Sequence, residues 1–245
     1  MMSIMNYPTF KKAMGSESMK TEINIIAHIH SDFKSKFGIP RQSGLVDELE
    51  AEIIFEPEYR SPEALRGIEG FSHLWLLWQF SECAEKGWSP TVRPPKLGGN
   101  TRMGVFATRS PFRPNSIGLS CVKLIGVEKT EKYGCILRVG GADLMDGTPI
   151  FDIKPYLPYV DSHPEASGGF ALQEKEGKLS VDFPDYLLSL IPAEKHTALL
   201  AVLAQDPRPA YINMPERVYG IDFAGFDIRF TVNSEKLTVM AVEKI

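Results

Sequence analysis

Residues 88–120, WSPTVRPPKLGGNTRMGVFATRSPFRPNSIGLS, concentrate cations that could do chemistry. From residue 86 to residue 127 there are seven basic side chains (Lys86, Arg93, Lys96, Arg102, Arg109, Arg113 and Lys123) and no Asp or Glu. The formal net charge of −4 therefore divides into +7 in this segment and −11 elsewhere. Prolines close to Arg93, Arg109 and Arg113 fix the local backbone, and an arginine on a fixed backbone is a planar fork suited to phosphate or carboxylate. The plainer reading is a solvated loop with ordinary surface charge.

A second group, GADLMDGTPIFDIKPYLP at residues 141–158, places Asp143, Asp146 and Asp152 within ten residues. DGTP is a tight turn, with Asp146 suited to an Asx-turn and Gly147 to positive φ. The same loop could also offer backbone amides and carboxylates to a ligand, and spacing leaves both readings open. His73, within FSHLWLLW, lies among apolar residues and reads as a core histidine. His28 and His30 share one strand face without a third ligand, and Cys83, Cys121 and Cys135 lack zinc-site spacing, so no metal is expected. There is no G-x-G-x-x-G, Walker loop or G-x-S-x-G elbow, which leaves Rossmann-type mononucleotide folds and serine hydrolases without support.

The elements that must position these residues are mainly β. Runs at 24–30, 52–55, 73–80, 104–107, 119–127, 134–139 and 148–153 are rich in β-branched or aromatic residues between turn formers, and so many strands in so short a chain suggest a closed or nearly closed barrel. One short helix is expected at 62–67 with Ser61 as N-cap. The polar, glycine-containing stretch 163–178 reads as a linker between a barrel at 19–162 and an α+β unit at 179–245. That unit should hold amphipathic segments at 185–190 and 193–204 and a hairpin of strands at 226–232 and 237–242. Met19 reads as the start of the fold, with residues 1–18 an N-terminal extension, disordered and outside it.

With 245 residues, 43% hydrophobic and 24% charged, the chain has a globular composition, which excludes a mainly disordered or fibrous protein. The longest apolar stretch, 71–80, is far below the roughly 20 residues needed to span a bilayer, so no membrane partner is expected. Three cysteines without a framework suit the cytoplasm.

Five segments together carry a resemblance: PRQSGLV at 40–46, GIEGFSHLWLLW at 67–78, the long stretch 93–120, DLMDGTPIFDIKPYLPYVDS at 143–162, and AQDPRPAY at 204–211. They resemble the tRNA N6-threonylcarbamoyladenosine methyltransferase family over about residue 24 to the C-terminus. The resemblance implies a β-barrel methyltransferase, not a Rossmann one, that uses S-adenosylmethionine to methylate N6 of threonylcarbamoyl-adenosine at position 37 of tRNA, usually as a homodimer. It implies cofactor contacts at Pro40, Arg41, Gln42, Arg109, Leu119, Asp143, Leu144, Met145 and Asp146, and further ones at Ser81 and Glu82.

Methylation of an acylated nitrogen requires a proton acceptor, for which Asp143 and Asp146 are the first candidates and His73 a third. Arg93, Lys96, Arg102 and Arg113, with Arg208 and Tyr211 in the C-terminal unit, are the candidate RNA contacts. The alternatives are a non-catalytic RNA-binding β-barrel, in which the DLMDGTP loop would have no role, and a methyltransferase of the same fold with another acceptor.

Overall fold

The computed structural model describes residues 21–172, 177–208 and 214–245. The N-terminal extension, Met19 and Tyr211 lie outside the described residues. In chain order the strands are β1 (Ala27–His30), β2 (Glu50–Phe55), β3 (His73–Gln79), β4 (Thr91–Val92), β5 (Met103–Gly104), β6 (Ile117–Thr130), β7 (Gly134–Gly140), β8 (Pro149–Pro155), β9 (Ser180–Asp182), β10 (Tyr219–Phe223), β11 (Phe226–Asn233) and β12 (Lys236–Lys244). The helices are α1 (Pro158–Asp161), α2 (Asp185–Leu188) and α3 (His196–Ala204), with 3-10 turns between elements.

Six strands close into an antiparallel barrel in the order β1-β2-β7-β6-β3-β8, the ring being completed by β1 against β8. Period-two alternation fills it: Ala27 and Ile29, Ala51, Ile53 and Phe55, and Leu74, Leu76 and Trp78 point inward. His28 and His30 occupy the outer face of β1, where His28 meets Glu56 at 2.8 Å. β6 has 14 residues, twice the length of β7, and pairs with β3 at one end and β7 at the other.

Two local expectations are corrected. Residues 104–107 form no barrel strand: Met103–Gly104 pairs only with Thr91–Val92, and Val105–Ala107 is a 3-10 turn closed by the Thr108 amide on the Val105 carbonyl. Prolines on both sides leave this segment without a continuous ladder. The helix expected at 62–67 is a 3-10 turn, Pro62–Leu65; Ser61 holds the cap position without a side-chain cap bond, and Gly67 takes φ +87°.

The C-terminal sheet has order β10-β11-β12-β9, with α2 and α3 against one face. The expected hairpin is β11–β12, and two strands escaped the sequence reading. β9 is only three residues long, and YGIDF in β10 contains Gly and Asp, both disfavoured in strands. This unit does not complete its core alone. Phe33, Val46 and Leu49, from the long connection between β1 and β2, are buried among its residues, with Phe33 edge-on to Phe223 at 5.4 Å. The Ala224 amide bonds the Asp32 carbonyl, Lys195 pairs with Asp32 at 2.7 Å, and Gly38 passes so near β10 that a Cβ there would lie 3.0 Å from Ile221.

Phe33→Ala is expected to destabilise the protein by about 3–5 kcal/mol, the usual cost of emptying a fully packed aromatic site. Guanidinium-induced unfolding checks this, and a loss below about 1 kcal/mol would show that the shared core carries little of the stability.

Candidate active site

Between Ile117 and Val122, β6 pairs with β3 alone, because its ladder with β7 begins at Lys123. Two loops close on the open edge. Ser43 Oγ accepts the Cys121 amide at 3.1 Å, Gly44 donates to the Gly141 carbonyl at 2.9 Å, and Gly141 donates to Leu49 at 2.8 Å. Gly141 has φ +72° and a Cβ there would lie 3.3 Å from the Gly44 backbone, so only glycine allows this approach. Strand alternation turns the Leu119 amide and carbonyl to the same open side as those of Cys121.

A cavity of about 340 Å³ lies against this edge. It brings together six of the expected cofactor positions, Pro40, Arg41, Gln42, Arg109, Leu119 and Asp143, with Trp78, Phe80 and Gly118 beside them. Trp78 faces Gly118 across the β3–β6 ladder, and a Cβ on Gly118 would lie 2.3 Å from the indole, so the tryptophan seats directly on bare backbone. Its Nε1 donates to Ser120 Oγ at 2.9 Å, and Ser120, 1% exposed, donates to Asp143 Oδ1 at 2.5 Å. Burial raises the Asp143 carboxyl above the ordinary aspartate range, and the opposing hydrogen bonds from Ser120 and from the amides of Asp143 and Ser43, with the Arg109 charge, do not cancel that rise.

The rest of the DLMD stretch turns away from the cavity. Leu144 is buried in the barrel and its carbonyl accepts Ser31 Oγ at 2.9 Å; the Met145 carbonyl accepts Thr148 Oγ1 at 2.7 Å. Asp146 accepts the Ser31 amide at 3.1 Å and Lys34 Nζ at 2.5 Å, with His30 at 3.2 Å. Burial alone would raise its carboxyl, but Lys34, the Ser31 amide and His30 outweigh that and hold it below the ordinary range. Ser81 and Glu82 open an exposed 3-10 turn, Ser81–Lys86, and line neither this cavity nor the groove beside it. His73 begins β3 at the end opposite the cavity, bonded to Ser72 Oγ at 2.9 Å and edge-on to Tyr156.

A groove of about 1850 Å³ adjoins the cavity. Lys36, Arg41, Arg93, Arg102, Arg109 and Arg208 line it, and no Asp or Glu is among its described lining residues. Arg41, Gln42, Thr108 and Arg109 line both spaces, and Arg109 Nη1 donates to Gln42 Oε1 across the opening. Arg102 is steadied by Thr91 Oγ1 at 2.9 Å. Arg208 is held by both oxygens of Asp206 at 2.7 Å, while its buried Nη1 has no hydrogen-bond partner among the described residues. Arg113 faces the small cavity instead, and its Nη1 is spent on the carbonyls of Thr108 at 2.7 Å and Val105 at 3.2 Å. The side chain of Lys96 lies outside the described residues.

Sequence reasoning missed Trp78, Ser120, Lys36 and the groove aromatics Phe106, Phe112 and Phe170. Phe170 falls in the stretch expected to be a linker, where residues 168–171 instead form part of the groove wall. Among the described residues no group of three His, Cys, Asp or Glu is placed to hold a metal ion.

The closed antiparallel barrel, the cavity with one buried carboxylate and the cationic groove beside it define a small β-barrel domain with a ligand site at an open strand edge. The family model for the tRNA-methyltransferase O N-terminal domain matches residues 28–162, and that for its C-terminal domain matches residues 176–245, so the chain belongs to this family. It is 46% identical over 226 residues to the Escherichia coli protein named tRNA (adenine(37)-N6)-methyltransferase, covering 89% of this chain and 96% of that one. A Pseudomonas aeruginosa protein whose name carries S-adenosylmethionine is 39% identical over 86% of this chain and 93% of its own length. A crystal structure of TrmO from Pseudomonas aeruginosa superposes with a TM-score of 0.72 at 32% identity, over 92% of this chain and 100% of that chain.

The two aspartates should move stability in opposite directions. For Asp143, whose folded pKa is raised, the native state keeps a proton that the unfolded chain releases near pH 3.9, so stability falls as pH rises through the window above about that value. For Asp146, whose folded pKa is lowered, stability is present above the unfolded value and is lost as pH falls toward the folded one. Relative to wild type, the Tm of Asp143→Asn should therefore improve from about pH 3 to about pH 7 while that of Asp146→Asn worsens. Parallel profiles for the two variants would refute the opposed environments.

Proposed function

We propose that the acceptor is threonylcarbamoyl-adenosine at position 37 of tRNA and that Asp143 takes its N6 proton. The chain is an S-adenosylmethionine-dependent tRNA methyltransferase acting on N6 of adenine 37. One observation carries the finer reading: the cavity holding Asp143 shares Arg41, Gln42, Thr108 and Arg109 with the cationic groove, which no acid lines among the described residues.

The residues fit the cofactor. The cavity volume of about 340 Å³ falls in the ordinary small-molecule range, and the free β6 edge offers the Leu119 amide and carbonyl to a heterocycle as a strand partner would. Pro40, Arg41 and Gln42 would hold the same ligand from the opposite loop. When bound, S-adenosylmethionine supplies a methyl group on a positively charged sulfur, moved by in-line displacement. The acceptor nitrogen bears a carbonyl, so its lone pair is delocalised and its proton must leave as the new N–C bond forms. Asp143 is a carboxylate of raised basicity, held by Ser120 against the cavity wall, and in this reading it receives that proton. Arg93, Arg102 and Arg208 supply cations for the phosphates, and Arg109, between the two spaces, supplies one for the threonyl carboxylate.

In this proposal residues 19–162 form the catalytic domain, 163–178 the connection and 179–245 the accessory domain, in keeping with the two family matches. In this proposal the enzyme works in the cytoplasm, which the three free thiols support, and as a homodimer, as the family resemblance implies.

Asp143→Asn should lower kcat by about 10²–10⁴-fold on tRNA carrying the threonylcarbamoyl group, with affinity for S-adenosylhomocysteine unchanged by calorimetry. Asp146→Asn should retain most turnover, since its carboxylate is committed to Lys34 and His30. Undiminished turnover in Asp143→Asn removes it as the base, and a wild-type protein that binds no S-adenosylhomocysteine overturns the whole reading.

A further inference from the structure

We propose that Phe106 is the stacking platform for a nucleobase flanking the adenine that is methylated; the inference rests on the tRNA reading above. Phe106 is 74% exposed, in a groove whose six cations face no acid among its described lining residues. With Phe112 and Phe170 lining the same groove, it belongs to an aromatic patch open to a planar ligand.

The ring is nonetheless held in place. Val105, 1% exposed, anchors the turn from below, its amide bonded to Pro90 at 3.0 Å and its carbonyl accepting Thr108 Oγ1 at 2.9 Å. The Arg113 guanidinium sits 5.8 Å from the ring centroid and is itself fixed by the Val105 and Thr108 carbonyls, so one face of Phe106 rests on a cation that cannot swing away. Phe106 is also three residues from Arg109, which lines the opening between groove and cavity.

Position and chemistry together identify the occupant. A cationic groove draws a phosphate backbone along itself without reading sequence, while the unstacked bases of an RNA loop are held on aromatic faces. Moving an adenine into the cavity breaks its stacking on both neighbours. A rigid ring in the groove beside the cavity replaces one of those lost faces. An acidic peptide would satisfy the cations equally well but would leave Phe106 without a planar partner.

The test compares Phe106→Ala, Phe106→Leu and Phe106→Trp for steady-state methylation of tRNA, for S-adenosylhomocysteine binding by calorimetry, and for fluorescence of 2-aminopurine placed on either side of the target adenine. Phe106→Ala and Phe106→Leu should lower kcat/KM for tRNA by about 5- to 150-fold, chiefly through KM, with cofactor affinity unchanged. Phe106→Trp should restore it, and quenching of one 2-aminopurine on binding should disappear only in the Ala and Leu variants. Wild-type kcat/KM in Phe106→Ala, rescue by Leu as full as by Trp, or a parallel loss of cofactor binding each overturns the platform. If the wild type neither binds nor methylates tRNA, the functional reading itself falls, and that arm is separate from the variant series.

Discussion

A buried strand edge must have its amides and carbonyls satisfied, and β6 outruns β7 by seven residues. From Ile117 to Val122 its open side can be met only by something that is not a strand. Ser43 takes the Cys121 amide, and the segment that carries Ser43 also carries Pro40, Arg41 and Gln42. That segment is in turn stitched to the turn after β7 through Gly44, Gly141 and Leu49, which delivers Asp143 to the same edge. The cavity thus follows from a mismatch in strand length: a neighbour of equal length would have paired the edge and left no site.

The loop that fills the edge has too few apolar residues to hold itself in place, and the C-terminal unit supplies the missing core. Phe33, Val46 and Leu49 are buried in that unit rather than in the barrel, and they bracket residues 40–43 on both sides in sequence. Anchoring both ends reduces the conformational freedom that a ligand would otherwise have to remove. The accessory sheet therefore acts on the site through the loop, and weakening the shared core should loosen the ligand-facing residues without touching them.

Much of this was legible in residue types and spacing. β-branched and aromatic runs between turn formers gave six barrel strands, Gly147 marked backbone needing positive φ, and the charge division of the chain placed the cationic groove. What stayed hidden depends on which strand lies beside which. Trp78 and Gly118 are forty residues apart, and nothing local says that a glycine must face a tryptophan until the β3–β6 register is known. Asp143 and Asp146 look alike three residues apart, yet one meets Ser120 from β6 and the other Lys34 from the β1–β2 connection. Residues 168–171 read as linker because glycine and polar composition carries no information about the surface a chain crosses.

Electrostatics explains why the two spaces are kept distinct. A carboxylate with a raised pKa survives only where cations are few or already occupied, whereas a phosphate-binding groove needs them free. Arg109 lies where these demands meet: its charge lowers the Asp143 pKa, but it is the last of the opposing influences, and its Nη1 is engaged by Gln42. Arg109 borders both spaces together with Arg41, Gln42 and Thr108, so in the proposed reaction donor and acceptor meet beside it. A substrate bearing its own carboxylate offers Arg109 a stronger partner than a neutral amide. In the proposed reaction, a substrate that drew the guanidinium toward itself would take positive charge away from Asp143 and leave that carboxylate more basic at the point where a proton must be accepted.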